Sequence, residues 1–473
     1  MKKAVLAILV CCLAASCAVN PVTGKKELSL ISEQQELAIG EETDGQVRGQ
    51  YGVYADDSMS GYVTASGKDI AVHTHLPNLP YRFAVLDSPV INAFAVPGGY
   101  VYLTRGILAL MNSEAEMAVV LGHELGHVNA RHSVRKMSQM ILFQAGLAIG
   151  SAISDTFAKI SGIAGIGVSL LFLKFSRDDE READALGVAY ARSAGYDPSR
   201  MVDFFDALER MGDLSGKNSL PGFLSTHPLT KERVRNVRAL LQASDSKLIE
   251  RDEEYARRID GIVYGDDPRQ GFVEGNAFYH PQLRVTCEFP DGWKVQNAPA
   301  RVTILSPDDE AAVVLQAEKS PEGLSAYAKK KSASLDGGQF VNEQSMNIHG
   351  LSCVRQVFDV VKPEKETLRV QFSFIRNGER IYTFSALSKA INYGRRAPEF
   401  GRIVDSFQEL RDPARLNKQP QRLRLVRADG AQSLREIFGR AGMKKDLWPS
   451  FTVMNDLGQE AVPPKGRLIK TVR

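Results

Sequence analysis

Two spacings of apolar residues divide this chain: helical periodicity prevails up to about residue 262, and alternation prevails after residue 268. A helix is predicted over residues 28–50, with Ser32 as its cap, Glu33 in its first turn, and Gly45 and Gly49 towards its end. Strand-like runs follow at 81–86, 90–96 and 100–103, the last two separated by Pro97-Gly98-Gly99. A helical stretch at 114–137 leads into the most apolar part of the chain, residues 141–175. Another helix at 177–194 stops at Gly195. After Tyr264-Gly265-Asp266-Asp267-Pro268, alternating runs at 283–289, 302–304, 312–315, 368–374 and 381–386 read as strands, with turn signals at Asp291-Gly292 and Asn377-Gly378.

At ~150 residues per domain, 473 residues allow roughly three units. The pattern sets them at 17–268, mainly α-helical; 269–410, an α+β domain; and 422–473, a very small α/β module, with a polar linker at 411–421. With 44% hydrophobic and 24% charged residues the composition is that of a globular protein, which excludes a disordered, collagen-like or polytopic membrane chain. The balance of 59 Lys plus Arg against 56 Asp plus Glu gives +3, too even for a nucleic-acid partner.

Lys2 and Lys3 precede an apolar run that ends in small residues before Cys17, the form of a signal peptide over residues 1–16. Leu13-Ala14-Ala15-Ser16-Cys17 resembles a lipoprotein lipobox, in which Cys17 becomes the lipidated first residue; Ala14 stands where an aliphatic residue is usual. Ala18, rather than an Asp, follows the cysteine, so the expectation is a periplasmic chain anchored to the outer membrane. Five cysteines are too few for a disulfide scaffold. With Cys11 and Cys12 removed in the leader and Cys17 lipidated, Cys287 and Cys353 remain, either as a pair or as two separate buried thiols.

The chemistry concentrates in Leu121-Gly122-His123-Glu124-Leu125-Gly126-His127. Histidines at i and i+4 share one helix face, so both imidazoles can reach one metal ion, and Glu124 is placed to take a proton from the attacking water. A catalytic zinc normally takes three protein ligands and keeps a position open. In Ser176-Arg177-Asp178-Asp179-Glu180-Arg181-Glu182-Ala183-Asp184, Glu180 and Asp184 stand i, i+4 and point into one space. From the segment alone this could equally be an acidic, solvated helix start.

These segments resemble the zinc metallopeptidases of peptidase family M48, which includes the CAAX prenyl proteases, and most of all its secreted BepA-like and LoiP-like branch. The likeness covers residues 18–265 and is carried by four separated stretches: Asn20-Pro21-Val22-Thr23-Gly24; Asn92-Ala93-Phe94-Ala95 with Pro97-Gly98-Gly99; His123 to His127; and Ser176 to Asp184. The resemblance implies a gluzincin-type, mainly helical peptidase domain with one Zn2+ per chain, and endopeptidase activity. It implies His123, His127 and Glu180 as ligands, Glu124 as general base, and Asp184 accepting the free ring N–H of a ligand histidine. A substrate strand is expected to pair along Asn92, Ala93, Phe94 and Ala95. His227, in Leu224-Ser225-Thr226-His227-Pro228, is expected either to stabilise the oxyanion, to fill the open metal position and keep the enzyme latent, or merely to cap the next helix. For His132 a structural role is expected, and His73, His75, His280 and His349 lack ligand-like partners.

Residues 141–175 leave three readings open: a buried helical hairpin, a lid over the cleft, or an element that dips into the membrane. Asp155 and Lys159 split the stretch into runs shorter than the ~18–20 residues a span requires. Phe289-Pro290-Asp291-Gly292-Trp293 gives the second domain a likeness to the PsbP- and Mog-like sandwich. The tail resembles a degenerate LysM module through Leu425-Val426-Arg427, Leu434, Ile437, Asn455, Leu457 and Gly466 before Leu468. Its usual turn is replaced by Gly430-Ala431-Gln432-Ser433-Leu434, which leaves peptidoglycan binding open. The expected function is zinc-dependent endopeptidase action on unfolded or misassembled envelope proteins. The alternative is a periplasmic chaperone or tethering lipoprotein with a latent zinc site.

Overall fold

The computed structural model describes residues 17–147, 174–215, 222–361 and 366–473. The leader expected at 1–16 and most of the apolar stretch at 141–175 lie outside the described residues. The chain forms two compact units, one from Met1–Arg48, Gly52–Gly265 and Gln421–Arg473, the other from Gly49–Tyr51 and Asp266–Pro420.

The first unit opens with the hairpin β1 (Cys17–Val19) and β2 (Lys26–Leu28). Asn20 shapes its turn by accepting the amides of Val22 and Thr23 at 2.9 and 3.2 Å. Helix α1 (Glu33–Tyr51) starts after the expected cap Ser32, later than residue 28 because β2 holds Lys26–Leu28, and a reciprocal capping box joins Ser32 to Gln35. Helix α2 (Asp57–Ala71) is capped by Asp56. Three short strands, β3 (Arg82–Leu86), β4 (Ala93–Val96) and β5 (Tyr100–Thr104), form a sheet in the order β3-β5-β4, so β4 is an edge.

Helices α3 (Arg105–Leu110) and α4 (Glu114–Asn129) follow, and every residue of α4 is buried. The single helix expected at 114–137 breaks at Arg131, whose φ of 54° turns the chain into α5 (His132–Leu147). Helix α6 (Arg177–Ser193) lies against α4 across small residues. A Cβ added to Gly122 would sit 3.0 Å from the Gly187 carbonyl, and one added to Gly126 would sit 3.2 Å from the Ala183 Cα. This closeness sets the depth of the site. Helices α7 (Arg200–Ser215), α8 (Gly222–Thr226), α9 (Lys231–Leu240) and α10 (Asp252–Ile259) complete this part of the unit.

The second unit holds β6 (Phe272–Glu274), β7 (Ala277–His280) and β8 (Val285–Glu288), then β9 (Lys294–Ala298), β10 (Arg301–Leu305) and β11 (Ala311–Lys319). Helix α11 (Leu324–Ala333) precedes the long strands β12 (Gly338–Ile348), β13 (Leu351–Val361), β14 (Thr367–Asn377) and β15 (Arg380–Lys389). Helix α12 (Tyr393–Asp405), β16 (Gln408–Glu409) and the short α13 (Pro413–Leu416) end it. A seven-stranded antiparallel sheet, β12-β13-β14-β15-β11-β10-β9, and a four-stranded sheet, β16-β8-β7-β6, enclose a core with Trp293, Phe384 and Phe400. Cys287 and Cys353 are separate buried thiols, and burial pushes them up to about 12 and about 11. The polar stretch at 411–420 is not a free tether: Arg415 lies 4.4 Å over the Tyr279 ring and Lys418 4.0 Å over Phe272.

The tail then rejoins the first unit as β17 (Leu423–Arg427), α14 (Leu434–Arg440), α15 (Trp448–Met454) and β18 (Leu468–Val472), with β17 and β18 antiparallel. It shares that unit's core rather than forming one of its own. Leu423 and Tyr264 donate to Ile262 and Gln421 at 2.9 and 2.8 Å, and the Tyr264 and Phe451 rings are 4.9 Å apart. The Lys470 ammonium is buried and donates to the carbonyls of Ala109, Leu110 and Met111 at 3.0, 3.0 and 2.6 Å. Among the described residues no helix is long and apolar enough to cross a membrane.

Candidate metal centre

Ser113 caps α4 by accepting the Glu116 amide, and the helix then runs inward, carrying His123 and His127 on one face. Their Nε2 atoms stand 3.1 Å apart. Ser176 caps α6 in a box with Asp179, so the acidic segment is helical from its first turn. The face that meets α4 presents Glu180 and Asp184, 1% and 2% exposed. These are no solvated helix start. Glu180 Oε1 lies 3.6 Å from His127 Nε2, and Oε2 lies 3.7 Å from His123 Nε2.

Helix α8 brings the fourth donor. The Phe223 amide donates to the Ile91 carbonyl at 2.9 Å, and the Phe223 ring stacks on His227 at 4.7 Å. His227 Nδ1 thereby sits 2.9 Å from Glu180 Oε1 and 3.4 Å from His123 Nε2. One ligand atom from each of His123, His127, Glu180 and His227 lies within 4.8 Å of all the others. The Glu124 carboxylate faces the same space, with Oε1 3.6 Å from His227 Nε2. That oxygen is buried and lacks a hydrogen bond among the described residues. Converging imidazole and carboxylate donors beside an unsatisfied acceptor suit one divalent cation of nitrogen and oxygen preference.

The surrounding charges hold His127 and Glu180 in binding form, whereas burial of His227 is outweighed by Glu180 and Glu124, which raise its imidazole above the usual range. Burial presses the His127 imidazolium well below the usual range, and the neighbouring histidines and Arg233 act in the same direction. Burial opposes ionisation of Glu180, but His227, His123 and Arg233 outweigh it and keep its carboxyl below normal. For Asp184 burial is likewise outweighed, here by Arg233 and His123. Burial raises Glu124, partly offset by His227 and His123 and by the Ala95 amide, which donates to its carboxylate. A proton acceptor with a raised pKa is closer to neutral range than a free Glu.

Outside the four donors, Asp184 Oδ1 lies 3.0 Å from His123 Nδ1, and Arg233 Nη1 lies 2.8 Å from Glu180 Oε2. His132 Nδ1 lies 2.8 Å from His127 Nδ1, and the Phe175 ring stacks on His127 at 4.2 Å. Sequence reasoning missed Arg233 and Phe175 and gave His132 no task. The signals available were Arg233 six residues after His227, Phe175 directly before the cap Ser176, and His132 five residues after His127. A cavity of about 300 Å³ opens beside Glu180, lined also by Lys174, Phe175, Arg177 and Arg233.

The expected strand Asn92 to Ala95 borders the site along the β4 edge. Asn92 exchanges bonds with Thr104, and its buried Oδ1 has no partner among the described residues. The remaining histidines lie elsewhere: His75 Nδ1 meets the Tyr190 hydroxyl at 2.6 Å, and His280 Nδ1 accepts the Leu283 amide at 3.2 Å.

Residues 57–241, which hold all four donors, match the model described as Peptidase family M48. Over this segment the chain is similar to the M48 peptidases. Among curated relatives, the Beta-barrel assembly-enhancing protease of Yersinia pestis is 29% identical over 228 residues, 46% of this chain and 46% of that one. A mitochondrial metalloendopeptidase of Arabidopsis thaliana is 35% identical over 169 residues, 35% of this chain and 33% of the other. The chain spans a little under half the length of the first of these. Among solved structures, cyanobacterial PsbP from Synechocystis covers 29% of this chain and 96% of its own at 10% identity and a TM-score of 0.24. The M48 match covers the four donors, while residues 266–420 and the tail lie beyond it.

Proposed function

We propose that this chain is a zinc-dependent endopeptidase of gluzincin type, working on misfolded or misassembled outer-membrane and other envelope proteins in the periplasm. One observation carries the reading: the donors of α4 and α6 converge in a buried pocket with the Glu124 carboxylate facing it. His123, His127 and Glu180 would hold one zinc. When bound, that ion supplies Lewis acidity, which acidifies a water and polarises the scissile carbonyl. Glu124 takes the proton of the attacking water and passes it to the leaving amine, a task its raised pKa favours. Asp184 orients the His123 ring and Arg233 steadies both carboxylates.

The substrate strand docks along Asn92 to Ala95 in this reading, since β4 ends its sheet among the described residues and Ala95 lies beside Glu124. Main-chain pairing suits clients of varied sequence, and the relative named for β-barrel assembly agrees with an envelope role. Cys17 is the lipid anchor to the outer membrane in this reading. The tail's β-α-α-β order supports its likeness to a LysM module, with peptidoglycan as the ligand such a module would take.

His227 favours a latent resting state, because its Nδ1 makes a fourth protein donor where catalysis requires an open position. A chaperone or tethering lipoprotein with a closed zinc site is therefore the competing reading. The test is casein cleavage by the chain lacking its first 17 residues, zinc-loaded, beside Glu124→Gln and His227→Ala. Cleavage by the parent, lost in Glu124→Gln at unchanged zinc content, supports the peptidase. Cleavage only after His227→Ala supports latency, and none from any version, with one zinc bound, supports the chaperone.

A further inference from the structure

The two histidines of α4 are supported differently. His123 meets a carboxylate directly, with Nδ1 3.0 Å from Asp184 Oδ1. His127 meets a second imidazole: its Nδ1 lies 2.8 Å from His132 Nδ1, the rings 75° apart. His132 is 1% exposed and reaches this place because Arg131, at φ 54°, reverses the chain between α4 and α5. Its other nitrogen, Nε2, stands 3.2 Å from Glu182 Oε2, with Asp179 Oδ1 at 3.8 Å. Arg135 in turn holds Asp179 and, at 3.2 Å, Glu27.

Two ring nitrogens 2.8 Å apart need a single proton between them. His127 Nε2 faces the other donors, so its lone pair must be kept there and its proton placed on Nδ1. The proton then points at His132 Nδ1, which must be bare, and the His132 proton must sit on Nε2, facing Glu182. Each assignment follows from the one before it. Glu182 lies two residues from Glu180 and two from Asp184, so three alternate acids of one helix serve the site in three ways.

We propose that His132 is a positioning residue, relaying the carboxylate Glu182 to His127 and fixing the tautomer in which His127 Nε2 is free to bind metal. The inference rests on the zinc-site reading above. It extends that reading to a residue outside the four donors and to the part-exposed acid Glu182.

The test uses zinc alone as probe, on the chain lacking its first 17 residues, with affinity read by competition against a chromophoric chelator. His132→Leu is expected to weaken zinc binding 10- to 100-fold, the usual effect of losing such a partner. His132→Gln, whose amide can accept from His127 and donate to Glu182, is expected to recover most of that loss. Nitrogen-15 NMR of the metal-free parent should show His132 protonated at Nε2 and bare at Nδ1. Should His132→Leu fail to fold, Glu182→Leu, at a part-exposed position, is expected to weaken zinc several-fold. Unchanged affinity in a folded His132→Leu, or in Glu182→Leu where that protein must stand in, would overturn the relay, as would an Nδ1-protonated His132. A parent that binds no zinc would remove the metal-site reading and the relay together, an outcome distinct from normal binding in the variants.

Discussion

Arg233 grips both oxygens of Asp184, through Nε at 2.8 Å and Nη2 at 2.7 Å, and this fork is buried. Asp184 is thus held square to the His123 ring, while the third guanidinium nitrogen lies on Glu180. A bidentate clasp of this kind is specific to arginine.

Arg233→Met should therefore leave two buried carboxylates without their cation. Breaking such a pair costs about 3–5 kcal/mol. Metal-free protein should lose that much stability in urea, with a weaker zinc affinity beside it. Arg233→Lys should restore the charge but only part of the affinity, because an ammonium cannot make both bonds to Asp184. Equal stability of parent and Met variant would show that the clasp contributes little.

The approach of α4 to α6 yields a second expectation. A Cβ at Gly122 would stand 3.0 Å from the Gly187 carbonyl, a backbone atom that cannot swing aside. Gly122→Ala should push the helices apart by a few tenths of an ångström and cost about 1–3 kcal/mol as overpacking. His123 is adjacent in sequence, so zinc affinity should fall with it. Thermal unfolding with and without added zinc reads both effects, and a smaller zinc-induced rise in Tm than in the parent is the expected sign.

Two of the four motif stretches made candidate donors legible, because spacing along one helix is a local property. His123 and His127 share a helix turn, and Glu180 and Asp184 share another. What joins the two helices is not local: the glycines at 122, 126 and 187 set the distance, and Arg233 arrives from α9. The strands of residues 266–420 were read only where alternation was clear. Strand β12 was missed because most of its residues are exposed, so no apolar face marks it. The tail read as separate because the polar stretch at 411–421 sets it off and it resembles a LysM module, yet its apolar residues fill the first unit's core.

That shared core makes Lys470 a structural residue of the first unit. Its ammonium closes three carbonyls at the end of α3 beside the buried Glu116 at the start of α4. Burial pushes Lys470 down to about 7, with Glu116 pulling the other way. Lys470→Met should cost about 3 kcal/mol or more, since it strands both the carbonyls and a buried carboxylate. Lys470→Met combined with Glu116→Gln should recover part of the loss, which a double-mutant cycle in urea measures. Truncation before Gln421 should give insoluble or unfolded peptidase rather than an active fragment.

His280 gives the second unit a pH response of known sign. Its Nδ1 accepts the Leu283 amide at 3.2 Å, and its ring meets Phe278 edge-on, so the neutral form fits and the imidazolium does not. Burial, aided by Arg380, lowers its pKa to about 4, against about 6.5 when unfolded. Between those values the unfolded chain binds a proton that the folded unit refuses. The stabilisation is complete above about pH 6.5 and is lost as pH falls towards 4, by up to about 3 kcal/mol. Carboxylates titrate over the same range, so the comparison must be with His280→Gln, whose amide can accept the Leu283 bond without titrating. Trp293 is buried in the second unit's core, and in a Trp448→Phe background its fluorescence reports that unit alone. The difference in unfolding free energy between the two proteins should shrink steadily from pH 6.5 to 4. A difference that stays constant would show that His280 is protonated in the fold.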